Sequence, residues 1–243
     1  MNKDLTELVL VLDRSGSMGS CVDDTEGGAR NLLKEQREAD GRCNVSYFRF
    51  DNTVERVYEG VDINSAEDIK LEPRGATALY DGIGQAINET GQRLSRLPEH
   101  ERPGLVIVAI MTDGGENASV EYNSQKVKEM IEHQTDKYSW QFLFLGANQD
   151  AFATGGNIGI SANKMSNYST VNSQAAFKGT SNLVRSLRYA SLEGASVCDM
   201  NAMSYSEEDK KSMNEPSKNV KSGITRQSIP RAVNKLKSYV TSG

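Results

Sequence analysis

Two stretches of the chain are apolar without a break, Leu8-Val9-Leu10-Val11-Leu12 and Leu105-Val106-Ile107-Val108-Ala109-Ile110-Met111. Uninterrupted apolar runs of strand length mark strands buried on both faces, as in a parallel sheet covered by helices. Strands are therefore predicted at 5–12 and 105–111, with others at 140–145 and, briefly, near 164–168. Asn44 to Phe50 is a strand by its aromatic and β-branched content, Asp51-Asn52 a turn, and Thr53 to Tyr58 a returning strand. So short a connection permits only an antiparallel pair. The alternating charge of the returning strand suits an exposed sheet edge, where charge discourages stray pairing.

Between these strands the apolar period changes to that of helices. One helix is predicted from Met18 to about Ala39, with Val22, Ala29, Leu32 and Leu33 on one face. Its Gly27-Gly28 pair should weaken it, by ~1 kcal/mol per glycine against alanine. A loop over 60–75 leads to a helix that carries Leu79, Ile83, Ile87 and Leu94 inward and stops at Pro98. Further helices are predicted at Ser124–Asp136 and Val171–Ala190, with a short helical turn at Asp150–Thr154 closed by Gly155-Gly156. Strands alternating with helices define an α/β fold: a mostly parallel, doubly wound sheet with one antiparallel edge strand and helices on both faces. The predicted domain spans 1–192. Residues 193–243 form a polar extension, with a short helical stripe of Ile229, Val233, Leu236 and Val240 at about 226–240. Pro230 is tolerable in that helix's first turn.

Composition narrows the function classes. The 243 residues suit one α/β domain with some length left over, against roughly 100–200 residues per domain. Apolar and charged fractions of 37% and 25% are those of a globular chain. No apolar run approaches the ~18 residues of a membrane span, and Met1 to Glu7 lacks a signal-peptide core. The expected location is cytoplasmic, with no membrane partner. Cys21, Cys43 and Cys198 have no C-x-x-C spacing and read as free thiols. Neither His100 nor His133 sits at zinc-ligand spacing from a cysteine. The net charge of −5 is uneven: residues 194–243 hold eight Lys/Arg against five Asp/Glu, and the remaining body is acidic. An acidic body argues against a nucleic-acid partner.

The chemistry lies where the first strand ends, at Asp13-Arg14-Ser15-Gly16-Ser17-Met18-Gly19. Open α/β sheets bind ligands off the carboxyl ends of strands where the strand order reverses. The second apolar strand also ends in an acid, at Thr112-Asp113-Gly114. If the two strands flank that reversal, Asp13 and Asp113 meet, and the Gly75-Ala76-Thr77 turn adds a third hydroxyl. The candidate metal ligands are Asp13, Ser15, Ser17, Thr77 and Asp113. Oxygen donors of this kind suit a hard divalent cation, Mg²⁺ before Zn²⁺. A helix-capping turn without metal explains the hydroxyls but not the remote acid.

These residues resemble the metal-ion-dependent adhesion site (MIDAS) of von Willebrand factor type A (vWA) domains: Asp13-x-Ser15-x-Ser17, a distant Thr77, then Thr112-Asp113-Gly114. All five motif positions match, and the order of elements over residues 4–190 is similar to that family's Rossmann-like fold. The tail is not covered. The resemblance is to stand-alone bacterial or phage forms, which would place the chain in a host cytoplasm or a virion. It implies that Ser15 and Ser17 ligate Mg²⁺ or Mn²⁺ (Ca²⁺ being a further option) directly. Thr77 would bind directly or through water, and Asp13 and Asp113 mostly through water and hydrogen bonds. It also implies a protein partner that supplies a carboxylate to the open coordination position.

Two other classes compete with a non-enzymatic binding module. A Mg²⁺-dependent phosphoryl-transfer hydrolase would carry a second aspartate where Ser15 stands, and a serine triad has no G-x-S-x-G to build on. An architectural subunit would use the C-terminal tail for docking on a partner or another subunit. Among the neighbours, mostly expected to be structural, Arg14 and Met18 would fill surface beside the site and Asp51 would make a turn, while loop position alone makes Glu116 and Asn117 candidates for the rim. Gly155-Gly156-Asn157-Ile158-Gly159 lacks the Lys-Ser/Thr of a phosphate loop.

Overall fold

The computed structural model describes residues 1–215. Six strands form one sheet in the order β3-β2-β1-β4-β5-β6: β1 (Asn2–Asp13), β2 (Arg42–Phe50), β3 (Val54–Asp62), β4 (Pro103–Thr112), β5 (Gln141–Gly146) and β6 (Met165–Asn167). Every pairing is parallel except β2 with β3. This is the predicted mixed α/β sheet with one antiparallel edge strand. Alternate residues of β1 explain its continuous apolar run. Leu8, Leu10 and Leu12 enter the core beneath α1 (Val22–Arg37) and α5 (Ser173–Leu192). Val9 and Val11 enter the opposite core beneath α2 (Leu79–Arg96) and α3 (Ser124–Tyr138). Each fully buried aliphatic chain contributes about 1.5–3 kcal/mol of transfer free energy.

The first helix divides in two. A 3-10 turn, Gly16–Ser20, precedes α1, because the chain must clear the end of β1 before it can lie back on the sheet. Gly28, expected as a weakness, is the point of contact between helices: a Cβ there would come within 2.7 Å of the Phe177 ring on α5. α4 (Gln149–Asn157) runs through Gly155 and Gly156 instead of closing at them. A Cβ on Gly155 would press on the Met165 and Phe144 side chains.

Packing continues beyond residue 192, where the sequence reading ends the compact domain. α6 (Val197–Ala202) and α7 (Glu207–Asn214) fold back on α5 and β6, burying Met200, Tyr205 and Met213. The polar composition of this segment hid a few large apolar anchors spaced between two capped turns, at Ser196 and Ser206. The helix predicted at about 226–240 lies outside the described residues.

The chain leaves β1 for β2 and β3 on one side, then returns to place β4 on the other. Leu12 pairs with Met111. The reversal of strand order therefore falls between the two strands whose ends carry Asp13 and Asp113.

Candidate functional site

Four of the five predicted residues form one hydrogen-bonded chain across the carboxyl ends of β1 and β4. Asp13 is wholly buried. Its Oδ1 accepts the Ser15 amide at 2.6 Å and its Oδ2 accepts the Thr112 hydroxyl at 2.6 Å. The Ser15 and Ser17 hydroxyls lie 3.0 Å apart, and Ser17 donates to Asp113 Oδ1 at 2.7 Å. Alternation within the turn puts the odd-numbered residues of Asp13-x-Ser15-x-Ser17 on the site.

Thr77 joins this group by position and not by hydrogen bond. Its Oγ1 lies 3.5 Å from where a Cβ on Gly114 would stand. Asn117 holds Thr77 at both backbone atoms, accepting its amide at 2.9 Å and donating its own amide to its carbonyl at 3.0 Å. Gly75, at φ +69°, makes the preceding turn in the left-handed region open to glycine. Its carbonyl accepts the Gly16 amide at 3.1 Å, tying the Thr77 loop to the first motif.

Electrostatically the site is a pair of carboxylates without a counter-charge. Burial pushes the Asp13 carboxyl up to about 6, against the bonds from Thr112 and Ser15 that stabilise its charge. Burial also raises Asp113, with the Ser17 bond opposing. Among the described residues, neither has a Lys or Arg within 4.0 Å. Arg14, inside the motif, turns its guanidinium away to Asp51 at 3.0 Å and Glu55 at 2.7 Å.

The donor set fits a hard cation. Ser17 gives its proton to Asp113, which makes Ser15 the donor between the two hydroxyls, so the Ser15 oxygen keeps both lone pairs and the Ser17 oxygen one for an ion. Among the described residues no three His, Cys, Asp or Glu side chains converge, which separates this hydroxyl-rich arrangement from a zinc site.

Several neighbours differ from expectation. Arg14 is 1% exposed and Met18 is fully buried, so neither fills surface. Asp51 does make its turn, accepting the Thr53 amide at 2.8 Å, and in addition pairs with Arg14 and Arg74. Glu116 serves the loop, accepting the Tyr80, Ala118 and Ser119 amides and the Ser119 hydroxyl. The sequence reading missed Thr112, although its hydroxyl directly precedes Asp113. It also missed Asn148, whose Nδ2 donates to the Asp113 carbonyl at 2.6 Å and which no local pattern marks.

No protein-family model matches the sequence, and neither does any curated protein. Solved structures do resemble the fold. The vWF domain of the type V pilus tip protein Mfa5 from Porphyromonas gingivalis aligns with TM-score 0.55 and 10% identity over 74% of this chain and 94% of that one. The pilus adhesin SpaC from Lactobacillus rhamnosus GG aligns with TM-score 0.56 and 14% identity over 74% of this chain. Proximal thread matrix protein 1 from the mussel byssus gives TM-score 0.57 and 13% identity, again over 74% of this chain. The chain spans 46% of the byssus protein and 30% of SpaC. At such identities the likeness is one of architecture: this chain has the Rossmann-like α/β fold of von Willebrand factor type A domains.

Proposed function

We propose that the chain is a protein-binding module whose site holds a divalent cation, Mg²⁺ or Mn²⁺, and presents it to a carboxylate on a protein partner. The observation that carries this reading is the pair Asp13, wholly buried, and Asp113, partly buried, each bonded to a hydroxyl and neither faced by a basic side chain among the described residues. A buried carboxylate without a partner is costly, and a cation at the two serine hydroxyls would remove that cost. Ser15, Ser17 and Thr77 would hold the ion by their hydroxyls, with Asp13 and Asp113 balancing its charge from behind. Neutral direct ligands leave a bound divalent ion electron-poor, and an acidic side chain from outside completes its shell. Pilus and adhesin domains share the fold, which supports a recognition role.

Mn²⁺ titration of chelator-treated protein tests the reading. The wild type should bind one ion and melt at a higher temperature when loaded, and Asp13→Ala should do neither while remaining folded. A wild type whose melting temperature and partner retention are indifferent to chelator rules the reading out.

A further inference from the structure

Behind the site lies a buried polar group with nothing to bond. Tyr168 is 1% exposed, and its hydroxyl has no hydrogen-bond partner among the described residues. An unpaired buried hydroxyl is destabilising, so a tyrosine is costly here unless its hydroxyl has a use.

Sheet register says where this hydroxyl belongs. Thr112 pairs with Gly146, and Gly146 with Asn167. Asp113, Ala147 and Tyr168 therefore form the next row at the carboxyl edge, and the Tyr168 amide donates to the Gly146 carbonyl at 3.1 Å. Asp113 and Tyr168 stand two strand spacings apart, ~10 Å. Between them Ala147 contributes only a methyl group, so the phenol ring can lie across it. Burial holds the phenol far above its ordinary range, and Cys21, Asp113 and Asp13 push it the same way. It is a permanent donor within the field of both site carboxylates. Asp113 has an opening to match: Ser17 donates to Oδ1, and among the described residues no side chain donates to Oδ2.

We propose that Tyr168 is a positioning residue for the cation site, its hydroxyl steadying the Asp113 carboxylate from behind when an ion draws on the Ser17 oxygen. The proposal rests on the cation reading above and adds a residue outside its five ligands.

The test is Tyr168→Phe in the full chain, with Mn²⁺ binding followed by electron paramagnetic resonance and stability by denaturation in chelator. Loss of an outer hydrogen-bond partner weakens metal binding by about 10–100-fold, and a Kd at least about tenfold higher is expected. In chelator the variant should be as stable as the wild type or more so, because it sheds an unpaired buried hydroxyl. Mn²⁺ should also perturb the wild type's tyrosine absorbance, and the variant should lose that signal. An unchanged Kd overturns the proposal and leaves the cation reading intact. So does a variant destabilised equally with and without Mn²⁺, since Tyr168 would then only support packing. A wild type that binds no Mn²⁺ overturns both.

Discussion

Two groups of acids share the carboxyl edge of the sheet, and they are treated in opposite ways. At the ends of β1 and β4, Asp13 and Asp113 are raised by burial and, among the described residues, meet only hydroxyls and amides. One strand away, Asp51 and Glu55 sit among arginines. Burial works to raise Asp51, but bonds from Arg74 and Thr53, with Arg14 alongside, hold it below its ordinary value. Glu55 is held low chiefly by its bond from Arg49, then by Arg14. Arg14 lies between Asp13 and Ser15 in sequence, yet its charge goes to the second group. A fold able to place a buried guanidinium beside Asp51 has left Asp13 without one. That difference separates acids that hold the structure together from the acids for which we propose an external cation.

The largest effect should come from breaking the compensated group. Arg14→Met removes a guanidinium that is 1% exposed, ion-paired with Asp51 and hydrogen-bonded to Glu55. Breaking a buried ion pair costs about 3–5 kcal/mol. The remaining pairs, Arg74 with Asp51 and Arg49 with Glu55, put the expected loss near the lower end, in urea denaturation at neutral pH. The loss should be the same with Mg²⁺ or chelator, because this group does not need the ion. It should also shrink in acid. Asp51 titrates below its ordinary value of 3.8 in the folded chain, so its stabilisation is present above that pH and is lost as pH falls further.

The uncompensated group predicts a reversal of rank. Asp13→Asn keeps an oxygen for the Ser15 amide, and Thr112 can turn its hydroxyl to the Gly114 carbonyl, which already lies at 3.0 Å. In chelator the variant loses a buried charge and should gain on the order of 1–3 kcal/mol. With Mg²⁺ at 100 times its Kd the wild type gains about 2.7 kcal/mol, and the variant gains nothing. Wild type should be the less stable chain in chelator and the more stable one in saturating Mg²⁺. If the order is the same in both, Asp13 belongs with the structural acids.

This division explains what could be seen from sequence. The strand runs, Asp13-x-Ser15-x-Ser17 and Asp113 are local patterns, and the sheet's reversal point brings them together as the motif spacing suggests. Arg14 could not be placed, because its destination depends on Asp51 and Glu55, dozens of residues away on a hairpin whose neighbours the local pattern leaves open. Tyr168 follows a three-residue strand whose register decides what it faces. Residues 197–214 read as polar tail because Met200, Tyr205 and Met213 are few and far apart, and it takes α5 and the β6 edge to give them a surface to bury against.

The smallest effect should sharpen the comparison most, because it sets two guanidinium groups against the same carboxylate oxygen. Arg74 Nε and Arg14 Nε reach the same oxygen, Asp51 Oδ2, at 2.6 Å and 3.0 Å. Arg74 hydrogen-bonds that oxygen whereas Arg14 Nε only approaches it as an ion pair, so by geometry alone Arg74 makes the stronger contact. Its side chain is 63% exposed, however, where that of Arg14 is 1% exposed. Water and salt screen an exposed pair, and holding a long side chain in place costs entropy that offsets much of the attraction. Arg74→Ala should therefore leave the urea midpoint close to that of the wild type at physiological salt, with a small loss emerging only at low salt. Arg14→Met should lower the midpoint at either salt concentration. Equal losses for the two variants would mean that distance, and not burial, sets the strength of these pairs. The contrast between an edge balanced from within and a site left for an outside ion would then lose its physical basis.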